Sequence, residues 1–113
     1  MTTIIRLVVV AALAGMSITA NAGFKTGNTL LDLCDTKTEV SDGACIGYIM
    51  GIVDVMTNNN PVNGNKACLA REVGAGEFVD IALKYMRANA AMRHRGAAEL
   101  VAEALQRAFP CYR

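Results

Sequence analysis

Four cysteines, one histidine and a lone aspartate inside an apolar run are the residues of this chain whose types invite chemistry. Cys34, Cys45, Cys68 and Cys111 are separated by ten, 22 and 42 residues, with no C-x-x-C pair among them. His94 is the only histidine, so the donor set lacks the spacing of a structural zinc site. A cysteine nucleophile would need a free thiolate beside that one histidine. No G-x-S-x-G, no H-E-x-x-H and no phosphate-cradling glycine loop appears, and the ten acids form no recognisable pair for glycoside chemistry. The residues indicate no catalytic set, no metal and no cofactor, and point to a protein that binds.

The N-terminus bears on the cysteines. MTTIIRLVVVAALAGMSITANA places Arg6 before an apolar run from Leu7 to Ile18 and ends in Ala20-Asn21-Ala22, the order of a secretory signal peptide. Residues 1–22 are therefore expected to be removed, leaving residues 23–113 as one domain in the periplasm or outside the cell. In a small exported chain an even cysteine count reads as two disulfides. Once Arg6 is lost the eleven basic side chains fall to ten, matching the ten acidic ones. This balance argues against a nucleic-acid partner.

Helical periodicity supplies the elements that must position these residues. A first helix is expected from Gly27, capped by Thr26, with Leu30, Leu31 and Leu33 apolar and Cys34 near its end. The polar stretch Asp35 to Asp42 reads as its break. The run CIGYIMGIVDV follows, and apolar residues without alternation from Ala44 to Met56 suit a second, buried helix. Ile46 to Met56 is about half the length a membrane-spanning helix needs, and polar residues flank it, so no membrane association is expected after signal cleavage. Gly43, Gly47 and Gly51 share one stripe, where missing side chains would admit a neighbouring backbone or a second copy of the chain. Asp54 lies beside that stripe near the negative end of the helix dipole. It is expected to pair with Lys84, Arg87, Arg93 or His94.

Asn58, Asn59, Asn60, Pro61, Asn63, Gly64 and Asn65 mark a loop. A third helix from about Gly74 carries Phe78, Ile81, Ala82 and Tyr85 on one face; a fourth from about Arg95 carries Ala98, Val101, Ala102, Leu105 and Ala108, and Pro110 ends it. The four methionines after the signal, Met50, Met56, Met86 and Met92, read chiefly as core filler. A short connection makes helices three and four antiparallel, so their far ends meet. Cys68 then lies beside Cys111, and Cys34 faces Cys45 across the first helical turn. The fold class is all-α, a small four-helix domain stapled by two disulfides.

Gly27-Asn28-x-Leu30-Leu31 leading to Cys34, then Cys45-Ile46-Gly47-Tyr48-Ile49-x-Gly51-x-x-Asp54, Cys68-Leu69, Arg93-His94 and Ala108-Phe109-Pro110-Cys111, resembles the Rap/Tai family of type VI secretion immunity proteins. The resemblance covers nearly all of the chain after the signal. It departs locally at Ala70 and Ala90, where Pro would be expected, and at Gly74, where a capping Ser or Thr would be. It implies a helical periplasmic protein, commonly dimeric, that binds and blocks a peptidoglycan amidase effector. The candidate contacts are Asn58, Asn59, Asn60, Asn63 and Asn65 of the loop, then Arg93 and Arg95; Asp54 and His94 are expected to serve the fold. The alternative class is a periplasmic acid-stress chaperone of the Hde type, although one histidine and few acids offer little for acid-triggered opening.

Overall fold

The computed structural model describes residues 24–70 and 72–112; the expected signal peptide lies outside the described residues. Among the described residues four α-helices follow one another: α1 Gly27–Asp35, α2 Glu39–Thr57, α3 Ala75–Ala88 and α4 Ala97–Ala108, with a 3-10 turn Ala90–Met92 between the last two. No strand occurs among the described residues, only two isolated bridges.

Helix α1 starts where a threonine pair closes a reciprocal cap. The Thr29 N–H donates to Thr26 Oγ1 at 3.2 Å, and the Thr26 N–H donates to Thr29 Oγ1 at 2.8 Å. Two otherwise unpaired donors are satisfied this way. At the other end Thr36 Oγ1 donates back to the Asp32 carbonyl at 2.7 Å. Helix α2 begins at Glu39, not at Ala44 as the apolar run suggested. Thr38 Oγ1 accepts from the Ser41 N–H at 3.1 Å, and Glu39 and Asp42 lie in the first turn, where carboxylates suit the positive end of the helix. The expected break is real but shorter than read: it spans residues 36–38, and Glu39 to Asp42 already form the first turn of the next helix.

The core is one cluster to which every helix contributes. Leu30, Leu31 and Cys34 come from α1; Cys45, Ile49, Ile52, Val53 and Met56 from α2; Phe78, Ala82 and Met86 from α3; and Ala97, Leu100, Val101 and Leu105 from α4. Helices α3 and α4 form an antiparallel pair, and at its open end the Phe78 and Phe109 rings pack 5.7 Å apart. There Cys68 is joined to Cys111, with its N–H donating to the Phe109 carbonyl at 2.9 Å. Cys34 is joined to Cys45 across the α1–α2 turn. Both pairings agree with the helix geometry read from the sequence.

The start of α1 is sewn to the turn before α4. The Gly27 N–H donates to the Arg95 carbonyl at 3.0 Å, the Asn28 N–H to Arg93 at 2.9 Å, and the Ala97 N–H to Lys25 at 2.8 Å. A Cβ on Gly27 would stand 2.5 Å from Leu100 Cδ1 and 3.1 Å from the Arg93 carbonyl oxygen, so this approach requires glycine. The stripe on α2 behaves in the opposite way. Gly43, Gly47 and Gly51 are exposed, and a Cβ on any of them would meet nothing within 4 Å. The expected close backbone packing on that stripe is therefore corrected: α2 buries only the opposite face, and its apolar character continues onto the open one.

Candidate partner-binding surface

The Asn-rich loop leaves α2 through an asparagine cap. Asn58 is the C-cap, with its Nδ2 donating to the Asp54 carbonyl at 3.2 Å; Asn59 follows with φ 60°, and its N–H donates to the Met56 carbonyl at 3.0 Å. Asparagine tolerates this left-handed conformation better than most residues. Val62 and Asn65 then exchange both backbone hydrogen bonds, at 3.0 and 2.9 Å, around Asn63 and Gly64 with φ 48° and 78°. Two successive positive φ values make a tight hairpin of the type that Asn-Gly favours. The loop is an ordered knuckle rather than a slack connector. Asn58, Asn59, Asn60 and Asn63 are exposed, and Asn65 is half-buried with its Nδ2 donating to the Asn63 carbonyl at 3.4 Å.

The two candidate arginines have different surroundings. Arg95 is engaged within the fold: it pairs with Glu99 one helical turn on, and its Nη2 lies 2.6 Å from Glu103 Oε1. Tyr85 donates its hydroxyl to Glu103 Oε2 at 2.9 Å, and the Arg107 guanidinium stands over the Tyr85 ring at 5.5 Å. Burial pushes the Glu103 carboxyl up, but hydrogen bonds from Arg95 and Tyr85 and the positive charges of Arg95 and Arg107 outweigh it, holding the carboxyl below its ordinary value. The same burial, reinforced by Glu103, raises the Tyr85 hydroxyl. The spacing of four that joins Arg95, Glu99, Glu103 and Arg107 was a sequence signal for this network; the entry of Tyr85 from α3 had none. Arg93 is half-buried in the turn before α4, with Nε buried and without a hydrogen-bond partner among the described residues. His94 is exposed, and its Nδ1 lies 3.0 Å from the Ala91 carbonyl oxygen, a local tie across the turn.

Asp54 does not take the role expected of it. It is exposed and joins no ion pair among the described residues, while Arg87, one of its expected partners, pairs with Asp35 at 2.6 Å. The reason is rotational: Asp54 stands at the edge of the open glycine face of α2, outside the line from Cys45 to Met56 that the core takes, and borders a groove with Phe78 of α3. Val40 at 83% exposure and Val55 at 45% lie on the same open side. Tyr48, from the apolar run, turns toward the start of α4 and lines a groove with Phe24, Asn63 and Ala98. Burial raises the Tyr48 hydroxyl, against a smaller lowering by the Ala98 backbone N–H.

The sequence pattern of the Rap1a immunity proteins matches residues 26–111. The chain belongs to that family. The matched span opens on the Thr26 cap and closes on Cys111, so all four helices, both disulfides, the Asn-rich knuckle and Asp54 lie inside it. No curated protein and no solved structure matches the chain. Membership in the Rap1a immunity proteins supports an immunity role, and the Hde-type chaperone alternative is not favoured. Among the described residues there is no free cysteine and no cluster of His, Cys, Asp and Glu able to hold a metal. The expectation that no segment reaches spanning length is corrected: because α2 starts at Glu39 it runs 19 residues and is long and apolar enough to cross a bilayer, while its Cys45–Met56 face packs into the core and Cys45 ties it to α1.

Proposed function

We propose that this protein is a periplasmic immunity protein that binds and inhibits a peptidoglycan amidase effector of type VI secretion, acting by occlusion and not by chemistry. The observation that carries the reading is the family match over residues 26–111. Two disulfides suit an oxidising compartment outside the cytoplasm. An inhibitor of an enzyme cleft needs a protruding element held on a rigid base, and the Asn58–Asn65 knuckle is such an element, fixed at one end by the α2 cap and closed by the Val62–Asn65 bridge. Arg93 provides the second contact region. Arg95 shapes that region through its carboxylate pairs and does not reach out. The open face of α2, with Val40, Gly43, Gly47, Gly51 and Val55, is the surface for a second copy.

The test is to purify the mature protein with the amidase encoded beside its gene and measure release of cleaved muropeptides. The intact protein should stop hydrolysis, and a variant with residues 58–65 replaced by a short Gly-Ser link should inhibit less. Hydrolysis that continues at full rate with the intact protein present would refute the immunity reading. Full inhibition by the shortened variant would move the contact elsewhere.

A further inference from the structure

Asp54 is costly where it stands. It occupies the last turn of α2, whose carbonyl end carries partial negative charge, and no basic residue offsets it in that turn. Its carboxylate has no ion-pair partner among the described residues, and Asn58 contacts its backbone carbonyl, not its side chain. Beside it runs an open groove of about 420 Å³ between α2, the segment that leads to α3 and the first turn of α3. The walls are Met50, Val53, Leu69, Val73 and Phe78, and among the described residues Asp54 is the one charged side chain on the groove. The Asn-rich knuckle begins directly beyond the end of α2, so the two features are neighbours.

We propose that this groove receives a lysine or arginine side chain of the amidase effector, with its aliphatic stem on the apolar walls and its charged head on Asp54. The inference rests on the immunity reading and names the chemistry of one contact within it. Long basic side chains combine an apolar stem with a charged tip, and the groove offers an apolar trough with one carboxylate at its rim. An acidic or purely apolar occupant would leave Asp54 uncompensated. A carboxylate that works against the fold and for the complex also accounts for its position: the free protein bears an unfavourable charge that the partner neutralises.

The test compares the mature wild-type protein with Asp54→Asn and Asp54→Lys, measuring affinity for the amidase encoded beside the gene at low and at high salt, and the melting temperature of each protein alone. Asp54→Asn should weaken binding at least about tenfold and flatten its salt dependence, Asp54→Lys should weaken it further, and neither should melt below the wild type. Unchanged affinity of Asp54→Asn would overturn the proposal while leaving the immunity reading intact. A lower melting temperature for Asp54→Asn would overturn it too, because the carboxylate would then serve the fold. If Asp54→Lys changed only the association of two copies, the cation would belong to a second copy and the proposal would fall. Absence of binding by the wild-type protein would instead remove the immunity reading on which it rests.

Discussion

Glycine-to-alanine substitutions at three positions should change stability with opposite signs. At Gly47 and Gly51 an added Cβ meets nothing within 4 Å, and both residues lie in the interior of a 19-residue helix. Alanine there gains helix propensity and restricts the unfolded chain without a steric cost, so each substitution should stabilise by about 1 kcal/mol. At Gly27 the same methyl group would stand 2.5 Å from the tip of Leu100 and 3.2 Å from the Arg93 Cα. The leucine tip can turn aside, but the Arg93 backbone is held by the Asn28 N–H at 2.9 Å and yields less readily. Overpacking of this kind costs about 1–3 kcal/mol. For a domain of this size each kcal/mol moves the melting temperature by about 4–8 °C. Thermal unfolding followed by circular dichroism, at a concentration where sedimentation shows a monomer, should therefore rank Gly51→Ala and Gly47→Ala above the wild type and Gly27→Ala below it. Loss of stability at Gly47 or Gly51 in the monomer would refute the placement of that face in solvent.

The two disulfides should contribute unequally. Loop-closure entropy assigns about 3 kcal/mol to the bridge spanning 11 residues and about 4 kcal/mol to the one spanning 43, so Cys68→Ser with Cys111→Ser should lower the denaturation midpoint more than Cys34→Ser with Cys45→Ser. The Glu103 carboxyl titrates lower in the folded chain than its ordinary 4.5, so the stability it adds is present above that value and is lost as pH falls through the lower folded value. Glu103→Gln should flatten this part of the acid unfolding curve measured by tryptophan-independent circular dichroism, and an unchanged curve would show that the network with Arg95 and Tyr85 adds nothing.

The helices and their disulfides were legible because they rest on local rules. Thr26 reads as a cap, the periodic faces of α3 and α4 fix their length, and a short connection forces their far ends together, which is enough to pair Cys68 with Cys111. The start of α2 was less legible, because Glu39, Ser41 and Asp42 suit a loop as well as the first turn of a helix. Only the hydrogen bond from the Ser41 N–H to Thr38 separates the two. At the candidate surface, Asn63-Gly64 announced a turn, but its closure between Val62 and Asn65 depended on backbone angles that composition does not specify.

The sequence by itself determined the class of this protein: helical periods, an even set of cysteines and a family pattern running from Thr26 to Cys111. Tertiary structure decided which side of α2 is used. Helix α2 is apolar around most of its circumference, so periodicity could not say which face the core would take. Packing against α1, α3 and α4 selected the line from Cys45 to Met56, because that face carries the bulky side chains that fill the core, and it left Gly43, Gly47, Gly51 and Asp54 to the solvent. A charge inside an apolar run looks internal in one dimension. The rotation of the helix, fixed by its neighbours, puts that charge on the surface.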